Sequence, residues 1–203
     1  METSGKVAAI LLASGFSKRF GMRNKLLVPF RGKPLARYTL DLAVSLEFSG
    51  GIYFITASDD VAVLAADLPD IRVVKNAFPE KGLQESVRLG VEAASGTPQG
   101  AGHGTGYFLF FHCDQPFMEA AIVQQILSAR SEGCIVEPRC QGRPGNPCLF
   151  SGIFRKELLD LAEGETPKII KSRHPEAVRI IEVTDPRALA DIDDEETLEK
   201  YNE

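Results

Sequence analysis

Hydrophobic positions along the chain fall into short continuous runs, separated by segments in which they recur every three or four residues. The runs at 7–12, 52–56, 71–74, 107–113, 134–137 and 178–183 are rich in Val, Ile, Phe and Tyr and predict strands. They are mostly unbroken rather than alternating, as expected of strands covered by helices on both faces of a parallel sheet. The segments at 34–47, 59–67, 83–94, 119–130 and 194–201 carry the helical spacing. Pro34 suits a first helical position, where its missing N–H costs nothing. The β-α-β-α succession predicts a doubly wound α/β protein, a three-layer α/β/α Rossmann-like arrangement around a mostly parallel sheet. The length of 203 residues fits a single domain spanning 1–203 that folds without disulfide or structural metal.

The apolar run at 7–13 is far short of the roughly 20 residues a membrane span needs, so no membrane partner is expected. It sits at the short limit of a secretory apolar core, and a more basic segment follows it, which argues against a signal peptide. Cys113, Cys134, Cys140 and Cys148 form no C-x-x-C pair and read as buried thiols of a reducing, cytoplasmic compartment. A net charge of −5 argues against a nucleic-acid partner. The average hides an asymmetry. Through Arg37 there are eight basic residues against Glu2, whereas from Glu182 onward nine acids face two bases. The basic start suggests a site for an anionic small molecule, and the acidic end either holds a cation or is a solvated helix. Five glycines in 96–106 do not fit G-x-G-x-x-G and precede a strand, so this stretch reads as a surface connection.

In a doubly wound sheet, ligands bind beyond the carboxyl ends of the strands. The loop after the first strand runs Ala13-Ser14-Gly15-Phe16-Ser17-Lys18-Arg19-Phe20-Gly21-Met22-Arg23-Asn24-Lys25. Its small residues let backbone N–H groups approach phosphate oxygens, while Arg19 offers a bidentate fork and Lys25 a movable point charge. By composition alone a solvated basic loop fits equally well. The order is more specific. The run L-x-x-G-x-S-x-R-F-G-x-x-x-K-L-L, from Leu12 to Leu27, followed by Arg31-Gly32-Lys33-Pro34-Leu35, resembles a nucleotidyltransferase signature. That family includes the molybdenum cofactor guanylyl- and cytidylyltransferases and many sugar-1-phosphate nucleotidyltransferases. The resemblance implies that Gly15, Ser17, Arg19 and Lys25 hold the triphosphate, with Leu12, Ala13 and Ser14 beside the nucleotide.

Further segments match in chain order. Asp114-Gln115-Pro116 closes the strand at 107–113. An isolated Asp there reads most simply as a turn residue bonding its own backbone. The resemblance makes Asp114 a Mg²⁺ ligand and, with Arg19 and Lys25, a catalytic residue. The close Asp191-Ile192-Asp193-Asp194-Glu195-Glu196 is similar to the family's D-I-D-T-x-E-D, with Asp194 in the Thr position. Read structurally, Asp193 or Asp194 caps the last helix, with acids in its first turn favoured by the dipole. Either Asp191 or Asp193 supplies the second carboxylate; Asp191 is favoured, with Asp193 as the helix-entry residue. Gly82 and Ser86 match G-x-x-x-S-(L/V)-x-x-G, which lines the base and ribose pocket. They also read as a plain helix start, with Leu83, Val87 and Val91 facing the core. Gly145-Asn146-Pro147 matches G-x-x-G-N-P-V-L-F and would contact the acceptor.

The match spans nearly the whole chain and is closest to the cytidylyltransferase-like branch. It implies the nucleotide-diphospho-sugar transferase-like fold and a Mg²⁺-dependent transfer of CMP from CTP to molybdopterin phosphate, with a molybdoenzyme as recipient of the product. A sugar-1-phosphate nucleotidyltransferase and a non-catalytic cofactor carrier are the alternatives. Two segments depart from the family pattern. Ala13-Ser14-Gly15 stands where cytidine enzymes have Ala-Ala-Gly and guanosine enzymes Ala-Gly-Gly, and Gly164-Glu165-Thr166-Pro167-Lys168 replaces G-D-x-G-(A/G)-R. His103, His112 and His174 do not cluster in sequence; none is given a catalytic role, and His112 is expected in the core strand.

Overall fold

The computed structural model describes residues 5–15, 20, 23–96 and 105–202. After β1 (Val7–Ala13) come a 3-10 turn at Lys25–Leu27, a small hairpin of β2 (Pro29–Phe30) and β3 (Lys33–Pro34), and α1 (Leu35–Ser45). Pro34 is extended, at φ −55° and ψ 141°, so it stands just before the helix and not in its first position. Then follow β4 (Ile52–Thr56), the short α2 (Asp59–Ala62), β5 (Ile71–Lys75), α3 (Leu83–Ser95), β6 (Tyr107–His112) and α4 (Ala120–Ser128). The last part contains β7 (Ile135–Cys140), β8 (Arg143–Pro144), β9 (Cys148–Ser151), α5 (Arg155–Leu159), α6 (Lys168–Arg173), β10 (Val178–Glu182) and α7 (Glu195–Asn202).

The main sheet has the order β10-β7-β9-β6-β1-β4-β5, with β8 against β7. The pairs β1–β4, β1–β6, β4–β5 and β7–β10 are parallel. Strand β9 is antiparallel to both β6 and β7. It has no counterpart in the hydrophobic reading, because its four residues follow directly on a Gly-Asn-Pro turn and are too few to stand out as a run. Alternate residues of β1 enter two cores. Ala9 and Leu11 pack with Ala36, Leu40, Val61, Val123 and Ile126 under α1, α2 and α4. Ala8 and Ile10 pack with Val87, Val91, Leu158 and Ile170 under α3, α5 and α6. Helices on both faces make the expected three-layer α/β/α architecture, with a mostly parallel sheet. Among the described residues, no helix is long and apolar enough to cross a membrane.

Gly90 sets how closely α3 lies on the sheet. A Cβ there would fall 2.4 Å from Ile10 Cγ2, in the fully buried centre of β1. Gly90→Ala is therefore expected to destabilise the protein by about 1–3 kcal/mol through overpacking. Urea denaturation measures this, and an unchanged midpoint would show that the helix can retreat without loss.

Candidate active site

Strand β1 lies between β4 and β6, so the chain leaves it toward one side of the sheet and later returns on the other. Such a reversal opens a crevice at the carboxyl ends of the strands. Here those ends are Ala13, Thr56 and His112, aligned by the register Ala13↔Thr56 and Leu12↔His112. A cavity of about 610 Å³ occupies the crevice. It is lined by Leu12, Ala13, Ser14 and Gly15 from the end of β1, Gly82 and Ser86 from the start of α3, and Lys25 and Asp114. These sequence-nominated residues, up to 102 positions apart in the chain, are brought together by the fold. Ser17 and Arg19 lie outside the described residues.

Local structure fixes several of these groups. The Ser14 hydroxyl donates to the Ile55 carbonyl at 3.2 Å, tying the loop to the end of β4. Gly82 precedes α3 with φ +100°, a conformation that favours glycine. The Ser86 hydroxyl accepts a hydrogen bond from Asn76 Nδ2 at 3.1 Å, and both residues are buried. Asn76, at the end of β5, has a structural role that sequence reasoning missed, since a lone Asn after a strand reads as a turn residue.

Lys25 enters the cavity from the 3-10 turn, where the Asn24 side chain accepts a hydrogen bond from Leu26 N. Its ammonium donates to Asp114 Oδ2 at 2.6 Å and to Asp193 Oδ1 at 2.7 Å, and the side chain is 12% exposed. Burial works against the charge, but the two carboxylates outweigh it and hold the lysine above its ordinary pKa. Lys25 is thus a fixed cation between two chain segments. Asp193, favoured from sequence as the helix-entry residue, is instead taken up by Lys25. That role belongs to Asp194, whose Oδ1 accepts from Thr197 N at 2.8 Å.

The C-terminal segment is anchored by Ile192, which is fully buried against Phe20, Phe30 and Leu35. Its N–H donates to the Asp114 carbonyl at 2.9 Å. Asp191 and Asp193, one residue to either side, both reach the cleft. His112, Asp114 and Asp191 each offer a donor atom, all within 4.8 Å of one another. His112 lies in its core strand, as expected, and as the strand's last residue it also reaches the site, which sequence reasoning did not foresee. Gln115 is almost fully buried, and its Nε2 donates to Asp191 Oδ1 at 2.8 Å, holding that carboxylate in place. Desolvation, reinforced by the charge on Asp114, pushes Asp191 above the usual carboxylate range. Asp114 Oδ1 is buried and has no hydrogen-bond partner among the described residues. A buried acceptor left unpaired beside a second carboxylate is costly, and a divalent cation would relieve both penalties. The oxygen-rich donor set fits such an ion.

A second cavity of about 260 Å³ adjoins the first and shares Leu12, Leu83 and His112 with it. Asp191, Gln115, Gly145, Asn146 and Lys171 line its polar side, and Phe110 and Phe150 its apolar side. Of the nominated acceptor residues, Gly145 and Asn146 reach this cavity, while Pro147 is buried behind them after a cis peptide bond. Cys148 also lines it, but burial pushes its thiol up to about 12, so it is no ready nucleophile. The excess of bases near the start of the chain is largely consumed within the fold. Lys33 and Arg37 pair with Asp41, Arg37 also with Asp67, and Arg23 with Glu195.

A crevice at the strand reversal, a fixed lysine and a carboxylate pair suited to a divalent cation are the equipment of nucleotidyl transfer. The chain belongs to the family described as the MobA-like NTP transferase domain, whose model matches residues 9–178. Its class is thus that of the nucleotidyltransferases. It is 26% identical over 182 residues, covering 83% of this chain and 82% of the relative, to a molybdenum cofactor guanylyltransferase from Ralstonia pickettii (strain 12J). It is also 26% identical over 199 residues, covering 92% of each chain, to a nicotine blue oxidoreductase from Paenarthrobacter nicotinovorans. Among solved structures, a nucleotidyl transferase from Methanothermobacter thermautotroptrophicus superposes with a TM-score of 0.81 at 20% identity, over 97% of this chain and 96% of that one.

Proposed function

We propose that the protein is a single-domain, cytoplasmic, Mg²⁺-dependent nucleotidyltransferase that transfers CMP from CTP to the phosphate of molybdopterin. A molybdoenzyme would then receive the product. The reading is carried by two cavities that share Leu12, Leu83 and His112, with Asp114 lining the larger, Asp191 the smaller, and donor atoms of the two within 4.8 Å of each other. A nucleoside triphosphate in the larger one and a phosphate monoester in the smaller one would face each other across those carboxylates. An acceptor phosphate oxygen attacks the α-phosphorus, the bond to the β-phosphate oxygen breaks, and pyrophosphate leaves. Such a transfer asks mainly for positioning and neutralisation of charge. Lys25 and Arg19 neutralise the triphosphate, and Gly15 and Ser17 are assigned to the same group. Ser86 and Gly82 border the ribose and base. Mg²⁺ held by Asp114 and Asp191 would supply Lewis-acid charge at the reacting phosphates. Gly145 and Asn146 border the acceptor.

Base choice rests on Ser14. Its side chain takes up space that glycine would leave open, and its oxygen, already donating to Ile55, retains a lone pair for the cytosine amino group. Size discrimination is worth only about 1–3 kcal/mol, so CTP should be preferred over GTP by roughly ten- to two-hundred-fold. Ser14→Gly should narrow that gap in steady-state kinetics with both nucleotides, and unchanged selectivity would remove Ser14 from base choice. The guanylyltransferase relative supports GTP as a second reading of the same site, with a wild-type preference for GTP as its outcome. Incubation with each nucleoside triphosphate, Mg²⁺ and molybdopterin, followed by pyrophosphate measurement, tests the whole reading. Release dependent on a sugar 1-phosphate alone would move the acceptor to the sugar class, and no release with any acceptor would contradict nucleotidyl transfer.

A further inference from the structure

The second cavity contains a charge arrangement that the nucleotide chemistry does not use. Glu137 lies on β7, and its side chain is only 2% exposed. Its carboxylate accepts from Arg139 Nε at 2.7 Å and from Lys171 Nζ of α6. Burial alone would raise its pKa, but the two cations outweigh this and hold it below the usual carboxylate range. One carboxylate serves two cations, so the group keeps a surplus positive charge. Arg139 is directed to the carboxylate through its guanidinium, whereas Lys171 also forms part of the cavity wall. An ammonium has three donor hydrogens, and Glu137 takes one.

An anion entering the cavity would pass Asp191, which lines it, with Asp114 close by; Lys168 and Lys171 are the cations on its wall. Phe110 and Phe150, packed edge to face at 75°, contribute apolar lining. A lysine already held by a buried carboxylate loses less side-chain freedom on binding than one moving in solvent.

We propose that Lys171, held in place by Glu137, binds the phosphate monoester of the acceptor. The proposal deepens, and rests on, the assignment of the second cavity to the acceptor. Lys171 is a binding residue and Glu137 a positioning residue.

Phenyl phosphate, which joins a flat ring to a phosphate monoester, is the probe, and phenol is its uncharged control; binding of both is measured by calorimetry. The wild-type protein should bind phenyl phosphate clearly more tightly than phenol, a comparison that needs no substitution. Lys171→Met should raise the dissociation constant about tenfold to a hundredfold, as loss of a charge-assisted hydrogen bond does. Because that variant leaves Glu137 with Arg139 alone, the double variant Glu137→Gln/Lys171→Met keeps the test independent of folding stress and should show the same weakening. Lys171→Arg should retain most of the binding, and the dissociation constant for CTP should stay unchanged throughout. Equal binding of phenol and phenyl phosphate by the wild type, or unweakened phenyl phosphate binding by the folded double variant, would overturn the proposal. Phenyl phosphate binding that depends on Lys171, in a protein that transfers no nucleotide to molybdopterin, would support the anion site while contradicting the proposed reaction.

Discussion

Lys25→Ala should lower turnover by roughly two to three orders of magnitude, the effect of removing a preorganised charge that stabilises the transition state. The loss should fall mainly on kcat, because the charge is needed most where negative charge builds up during transfer. In the ligand-free protein, Lys25 is committed to Asp114 and Asp193. The substitution leaves both carboxylates short of a donor, so stability should also fall, by about 1–3 kcal/mol. Steady-state kinetics together with urea denaturation separate the two effects. A variant that is destabilised yet turns over normally would confine Lys25 to a structural role.

Asp114→Asn should be at least as damaging. The shape is kept, but the charge that holds both Lys25 and a hard cation is lost. A catalytic metal contributes several kcal/mol at the transition state, or roughly three orders of magnitude in rate. Excess Mg²⁺ should restore little, because the amide offers one weak oxygen where a carboxylate offers charge. Asp191→Asn should be milder, since the amide keeps an oxygen at that place and Gln115 still orients the side chain. Kinetics of the three variants over a Mg²⁺ titration decide the assignment. If Asp193→Asn proves worse than Asp191→Asn, the second ligand is misassigned.

The sheet and its helices were legible because most strands are buried on both faces and announce themselves as continuous apolar runs. Strand β9 was not, because four residues behind a Gly-Asn-Pro turn carry no period of their own. The clustering of Gly15, Lys25, Gly82, Ser86 and Asp114 around the larger cavity was legible, because their order in the chain is itself a pattern. Residues acting through tertiary contact left no such trace. Gln115 occupies the variable place of Asp-x-Pro, and only the fold shows that its amide holds Asp191. His112 looked like one more core residue until the strand was seen to end at the carboxylates. The partition between Asp193 and Asp194 escaped sequence reasoning because adjacent acids have equal capping propensity. What separates them is the position of Lys25, 168 residues away in the chain.

The most direct measurement follows the α-phosphorus of CTP, radiolabelled at that atom, in the presence of Mg²⁺ and molybdopterin. The label should move to a molybdopterin product in equal amount with pyrophosphate, and the transfer should disappear in Asp114→Asn. Label that remains in CTP, with no pyrophosphate released, would contradict nucleotidyl transfer.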